Sequence, residues 1–542
     1  MRTMPQVNST CDDFAWKFSQ MFAVVVHLVI NHVLLRKSSR MRLPPGPRPW
    51  PVVGNLLQLR QGGKNLHKTF ASLAQQYGPI VYLRLGSVHT VVVSSPTMAK
   101  EFLKTHDQEF QYRPKQGLVA EILMGNNGMA MSTGGPLWRH LRRICSTEFF
   151  ATKHLQSFES MRSKEINSTI NDICMESGEG KVVDLRFRLS SLSINILTHM
   201  MFKKRYFGVD KSRQNELHYF KEVTEQVSHW FGVLIISDYI PSLRWLVKLQ
   251  GIHASLHALR DKKSQFIQKL IMEHKENTIE VDQVQDSRNE NVANTPKDFV
   301  DVLLSAPRED GTGKLSEETI ETVVLEMLTA GLESSALTIE WAMAELIRNP
   351  MIMKRAQTEL ETMVGMNRIV EESDLHKLTY LQAVIKEIFR LHPLGPLLVP
   401  HSSINKVCGI MERYDIPPHT TVIVNAWAIG RNPSTWEKPF EFNPDRFLQQ
   451  QHPIVVEKVD MHENNFELLP FGSGRRACPG RALGTLVVQI VLARLLHSFH
   501  WVLPNQQEPN TLDMSEEFGL ALSRAQPLHA KAYPKLPVHL YK

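Results

Sequence analysis

Along most of this chain apolar side chains return every three to four residues, and in a few short stretches they return every second residue. The first spacing lines one face of a helix with apolar groups, the second one face of a strand. Helical spacing dominates from residue 97 to residue 346, with two interruptions. Residues 117–135 are rich in Gly, Asn and Met. Residues 274–297 are polar and charged without a period, which predicts a mobile surface loop. Ser316, followed by Glu317 and Glu318, is placed to cap a helix that continues to Asn349, where Pro350 stops it. At roughly 34 residues that helix would be ~51 Å long, enough to cross a whole domain. Residues 80–85 and 90–94, rich in β-branched side chains and separated by Gly86-Ser87, predict a hairpin, and residues 420–427 a further strand. A last apolar helical run covers residues 482–496. Helices outnumber strands and nothing suggests a doubly wound sheet, so the expected fold class is mainly α with small β-sheets.

The N-terminal end has a different pattern. Residues 18–35 are largely apolar and as a helix would span ~27 Å, close to the ~30 Å of a bilayer's hydrocarbon core. Arg36, Lys37, Arg40, Arg42 and Arg48 come next with no acidic residue among them and hold +5 of the net +7 charge. Charge confined to one short stripe beside an apolar span argues against a nucleic-acid partner. It favours a membrane anchor with the stripe on the cytosolic side. A cleaved signal peptide is the alternative, although acids lead this segment and basic residues trail it. The segment Leu43-Pro-Pro-Gly-Pro-Arg-Pro-Trp-Pro51 reads as a stiff extended link. The expected organisation is a short lumenal segment (1–17, with a sequon at Asn8), an anchor (18–35), a hinge (36–51) and one catalytic domain (52–542). No internal repeat divides that domain.

Five cysteines (Cys11, Cys145, Cys174, Cys408 and Cys478) are scattered without a C-x-x-C pair, which excludes a disulfide scaffold and a zinc ribbon. One has distinctive surroundings: Phe471-Gly-Ser-Gly-Arg-Arg-Ala-Cys-Pro-Gly480 leads into the last apolar helix. A helix N-terminus favours the thiolate of Cys478 through its dipole and its unpaired N–H groups. Gly474 and Gly480 allow a tight turn and close approach to a flat macrocycle. Phe471 would shield the sulfur from water, and Arg476 would pair with a haem propionate. The bland alternative is a buried, inert cysteine in a glycine-rich turn.

With this segment the chain resembles the cytochrome P-450 family of haem-thiolate monooxygenases, and within it the microsomal enzymes of plants, from about Leu43 to the C-terminus. Further segments match in the family's order. Ala330-Gly-Leu-Glu-Ser-Ser335 resembles its oxygen-activation motif: Gly331 would let dioxygen approach, and Glu333 with Ser334 would pass protons inward. Ser334 stands where threonine is usual, keeping the hydroxyl but losing the methyl that stiffens χ1. Glu387 and Arg390, three apart on one helix face, with Arg446 resemble the family's architectural Glu-Arg-Arg network. Trp138, Arg142 and His401 resemble groups that hold the haem propionates. Taken alone, these residues also fit a surface ion pair, a cation–π pair and a loop histidine.

The resemblance implies the cytochrome P-450 fold, a triangular helical domain around a buried b-type haem (heme b), behind an N-terminal transmembrane helix. It implies hydroxylation of a lipophilic small molecule, a plant specialised metabolite or fatty acid, with O2 and electrons from an NADPH-cytochrome reductase. The expected location is the endoplasmic reticulum membrane, single-pass, with the catalytic domain in the cytosol. The pocket is expected from residues 117–131, 223–236, 323–329, 394–398 and 518–522, all largely apolar. Two rivals are a haem-thiolate isomerase or dehydratase that needs no reductase, and a haem-binding sensor without turnover.

Overall fold

The computed structural model describes residues 41–61, 65–114, 117–125, 127–206, 211–233, 235–286, 297–448 and 465–541. The expected lumenal segment, its Asn8 sequon, the anchor at 18–35 and the start of the basic stripe lie outside the described residues. Five helices organise the described domain: α1 (Leu185–Phe202), α2 (Ile252–Asp286), α3 (Glu317–Arg348), α4 (Thr379–Leu391) and α5 (Arg481–Ser498).

Helix α3 is the axis of the fold. Ser316 caps it as expected, its Oγ accepting from the Thr319 N–H at 3.2 Å, and Pro350 begins the next helix. Residues 336–347 of α3 are buried on every face, so its second half carries no polar stripe. Helices α1 and α5 both pack against it. Both α3 and α5 are long and apolar enough to cross a membrane, but most of each apolar window is buried inside the domain, as in core helices.

Helix α2 departs from expectation. The loop expected at 274–297 is helical as far as Asp286, and only residues 287–296 fall outside the described structure. Ile267, Leu270, Ile271 and His274 are buried, and His274 Nε2 lies 2.8 Å from Asp301 Oδ1. Once docked turns have met the cost of nucleation, polar residues extend a helix cheaply, even without a period of their own.

The main sheet has four strands, β1 (Ile80–Leu85), β2 (Val88–Val93), β3 (His401–Ser402) and β4 (Thr421–Val424), in the order β1-β2-β4-β3. The hairpin pairs Ile80 with Val93, and β2 runs parallel to β4 with Thr90 opposite Thr421. The strand expected at 420–427 ends at Val424, because Asn425 Oδ1 accepts from the Ala428 N–H and turns the chain into a short helix. At the hairpin tip Gly86 has φ +58°, and a Cβ there would sit 2.2 Å from the Tyr239 carbonyl oxygen. Only glycine lets these two segments meet.

Candidate active site

The segment around Cys478 forms a tight loop between α4 and α5. The Cys478 N–H donates to the Phe471 carbonyl (2.9 Å) and the Ala477 N–H to that of Gly474 (3.0 Å). Gly474 has φ +72°, and a Cβ there would lie 2.2 Å from the Leu103 oxygen, so the turn requires glycine. The Phe471 ring sets its edge against Phe389 of α4, centroids 5.4 Å apart. Gly480 caps α5, and its N–H points to the Cys478 sulfur. Burial pushes the Cys478 thiol up, while that N–H, Arg142 and Arg481 pull it back. Cys478 lies deep among protein atoms, yet its side chain stays accessible. The other described cysteines differ: Cys145 is sealed in the core with its thiol pushed up to about 12, and Cys408 is on the surface.

Beside this loop lies a cluster of enclosed cations. Arg476 donates to the carbonyls of Gln111 (2.7 Å), Met129 (3.2 Å) and Ser132 (2.8 Å). Its guanidinium stacks on buried Trp138 at 4.2 Å. Arg113, which no motif singles out, is buried and donates to Ala130 O, Val399 O and Pro400 O at 2.8–3.0 Å. His401 Nδ1 lies 2.9 Å from the Phe110 carbonyl, and burial beside Arg113 and Arg476 holds the imidazole down to about 3, hence neutral. Burial and mutual repulsion lower Arg113 to about 9, and burial with Arg142 lowers Arg476 to about 10. Burial and repulsion outweigh the attraction of nearby Glu326 at both arginines, so added negative charge is favoured there. A cofactor bearing two carboxylates would fit there, beside Cys478.

Helix α3 carries Glu333 and Ser334. The carbonyl of Ser334 accepts from Thr338 Oγ1 at 2.9 Å, a side-chain bond of the kind that bends helices. A Cβ at Gly331 would meet Leu197 Cδ2 of α1 at 2.8 Å. Its smallness lets the Leu197 side chain of α1 lie close against α3. The five expected pocket segments come together in the structure. Residues 118–123 pack under α2 and the helix Lys211–Gly232. Gly232 faces Gly519, the Leu522 N–H donates to Leu394 O (2.8 Å), and Glu326 of α3 binds the backbone of residues 129 and 130.

The Glu387 network is present and enclosed. Arg390 clasps Glu387 with Nε (2.6 Å) and Nη2 (2.7 Å), both side chains being fully buried. Arg446 Nε reaches the same carboxylate at 3.1 Å. The remaining Arg390 hydrogens go to the carbonyls of Gly430, Pro439 and Glu441, which ties α4 to the segment before the cysteine loop.

Comparison with known proteins agrees with this geometry. The family model for Cytochrome P450 matches residues 44–529. A flavonoid 3'-monooxygenase of Petunia hybrida is 37% identical over 96% of this chain and 98% of its own length. A flavonoid 3',5'-hydroxylase of Eustoma exaltatum is 39% identical over 94% of each. A zebra fish cytochrome P450 solved with progesterone superposes with a TM-score of 0.68 at 25% identity, covering 86% of this chain and 99% of that one. The helical domain, the enclosed thiol and these relatives agree, and the chain belongs to the cytochrome P450 family, haem-thiolate monooxygenases that draw electrons from a redox partner.

Proposed function

We propose that Cys478 is the thiolate ligand of the haem iron, and that Arg113, Arg142, Arg476, Trp138 and His401 hold the haem carboxylates. The observation that carries this is a deep but accessible thiol beside guanidiniums whose burial and repulsion favour added negative charge. When bound, the haem supplies activation of dioxygen and insertion of one oxygen atom into a C–H bond. The protein positions the rest. Phe471 covers the sulfur, Glu333 and Ser334 Oγ on α3 move protons toward the oxygen site, and the apolar walls exclude water.

The substrate is a lipophilic specialised metabolite or fatty acid. Relatives named as flavonoid hydroxylases support the first, and the buried wall residues Val119, Leu123, Met129, Val323 and Met327 suit either. Electrons come from an NADPH-cytochrome reductase, and the domain is anchored by residues 18–35 to the endoplasmic reticulum membrane. Trp50, Leu57, Ile236, Trp245 and Leu249 stand exposed, the last at 75%. The Gly54–Leu85 bridge and the Ser87 N–H to Tyr239 O bond hold the segments that carry them on one side, suited to a lipid surface. Full-length protein reconstituted with reductase in lipid vesicles, NADPH and a panel of flavonoids and medium-chain fatty acids tests these assignments. A hydroxylated product that needs both NADPH and reductase is expected. Turnover without reductase would favour the isomerase reading, and no product from any panel member would overturn the substrate class.

A further inference from the structure

Glu326 is a carboxylate with no assigned part in the reaction, yet it is enclosed in the pocket wall. It lies on α3, 6% exposed, seven residues before Glu333 and so about two turns along the same face. Its Oε2 accepts the Met129 N–H at 2.6 Å, both oxygens accept that of Ala130 at 3.1 Å, and the Met131 N–H completes the set. Burial pushes the Glu326 carboxyl up, while the three N–H donors and Lys263 pull it back. Only the ionised, acceptor-only form meets donors on both oxygens. The fit is close: a Cβ at Gly128 would lie 2.3 Å from Glu326 Oε1.

The same stretch of backbone turns its carbonyls the other way. Met129 O and Ser132 O accept from Arg476, and Ala130 O accepts from Arg113. A negative group holds the N–H side of residues 129–131 while guanidiniums hold the carbonyl side of residues 129–132. Hydrogen bonds at one end of such a chain strengthen those at the other.

We infer that Glu326 is a positioning residue: by fixing residues 128–132 it aims Arg113 and Arg476 at the carboxylates of the haem. This rests on the assignment of those arginines proposed above. The test is a double-mutant cycle on full-length, haem-loaded protein, reading the rate of haem transfer to apomyoglobin. Glu326→Gln and Arg113→Gln should each speed haem release by about tenfold, the effect of losing one charge-assisted bond. The double variant should be no faster than the faster single, because both act through one chain of contacts. Gly128→Ala, which crowds the carboxylate, should speed release with Glu326 intact. If Glu326→Gln yields too little folded protein, Glu326→Asp, which keeps the charge, should show a smaller acceleration that disappears in the Arg113→Gln background. Multiplicative single effects, or a Glu326→Gln protein that holds haem as the parent does, would overturn the inference. An Arg113→Gln protein that releases haem as slowly as the parent would sink the assignment of the arginines instead, so the two failures are distinguishable.

Discussion

Replacing Glu387 by Gln tests whether the ion cluster on α4 is architectural. The Glu387 carboxylate accepts four donors, Arg390 Nε and Nη2, Arg446 Nε and the Asn443 N–H, all between 2.6 and 3.1 Å. Glu387 and Arg390 side chains are wholly enclosed and that of Arg446 is 11% exposed, so solvent screens the cluster little. Removing the one carboxylate leaves two guanidiniums facing each other without a counter-charge. Breaking a buried pair in this way costs ~3–5 kcal/mol. A loss of ~3 kcal/mol is over a hundredfold in the folding equilibrium. The assay is urea unfolding of the haem-loaded protein, followed by far-ultraviolet circular dichroism and by loss of the thiolate–carbon monoxide band. The band should go first, since the network ties α4 to the segment leading to Cys478. Arg390→Lys should fall between parent and Glu387→Gln, because an ammonium keeps the charge but has three hydrogens for the five bonds the guanidinium makes. A loss of ~1 kcal/mol or less, typical of a solvated ion pair, would refute the architectural role.

Cys478→Ser should abolish the thiolate spectrum, while Ser at Cys145, Cys174 or Cys408 should keep it; a thiolate band in Cys478→Ser would disprove the ligand. Ser334→Ala should bind substrate normally yet form less product per NADPH consumed, and Ser334→Thr should match or exceed the parent, since the methyl restricts the hydroxyl's rotamers. Proton transfer by a placed group is worth ~10²–10⁴-fold where water does not replace it, and an Ala variant as well coupled as the parent would exclude the relay. In the haem-free protein His401, held at about 3 against an ordinary value of 6.5, binds a proton more readily unfolded than folded. Its contribution to stability is therefore complete above about 6.5 and drains away as pH falls toward 3. His401→Gln should flatten that part of the pH–stability curve, and an unchanged slope would contradict the burial argument. Deleting residues 1–35 should weaken sedimentation with membranes but leave a haem-binding domain, and secretion of the full-length chain would favour a cleaved signal instead.

How much of the fold and site is legible in the sequence depends on the range of the interaction. The cap at Ser316, the stop at Pro350 and the hairpin at 80–94 are backbone events settled within a few residues, and the structure has them nearly where the pattern places them. The loop around Cys478 is partly of the same kind: the turn at Gly474 (φ +72°) and the Cys478-to-Phe471 bond are local, while the approach of Leu103 to Gly474 is not. Helix α2 outruns its pattern because docking of its earlier turns, not the period of residues 274–286, carries it forward.

The sequence by itself determined the chemistry present: a thiol at a helix start, an acid beside an alcohol on a long helix, and a Glu-Arg pair with a distant Arg446. Tertiary structure alone decided which groups meet. Arg476 bonds to Gln111, 365 residues away, and stacks on Trp138; Arg113 joins the cation cluster; Glu326 grips a backbone 196 residues distant; Gly331 turns to Leu197. None of these partners has a characteristic spacing, because each contact is set by how helices and loops pack in three dimensions. A buried charge must find its partner wherever the fold has brought one.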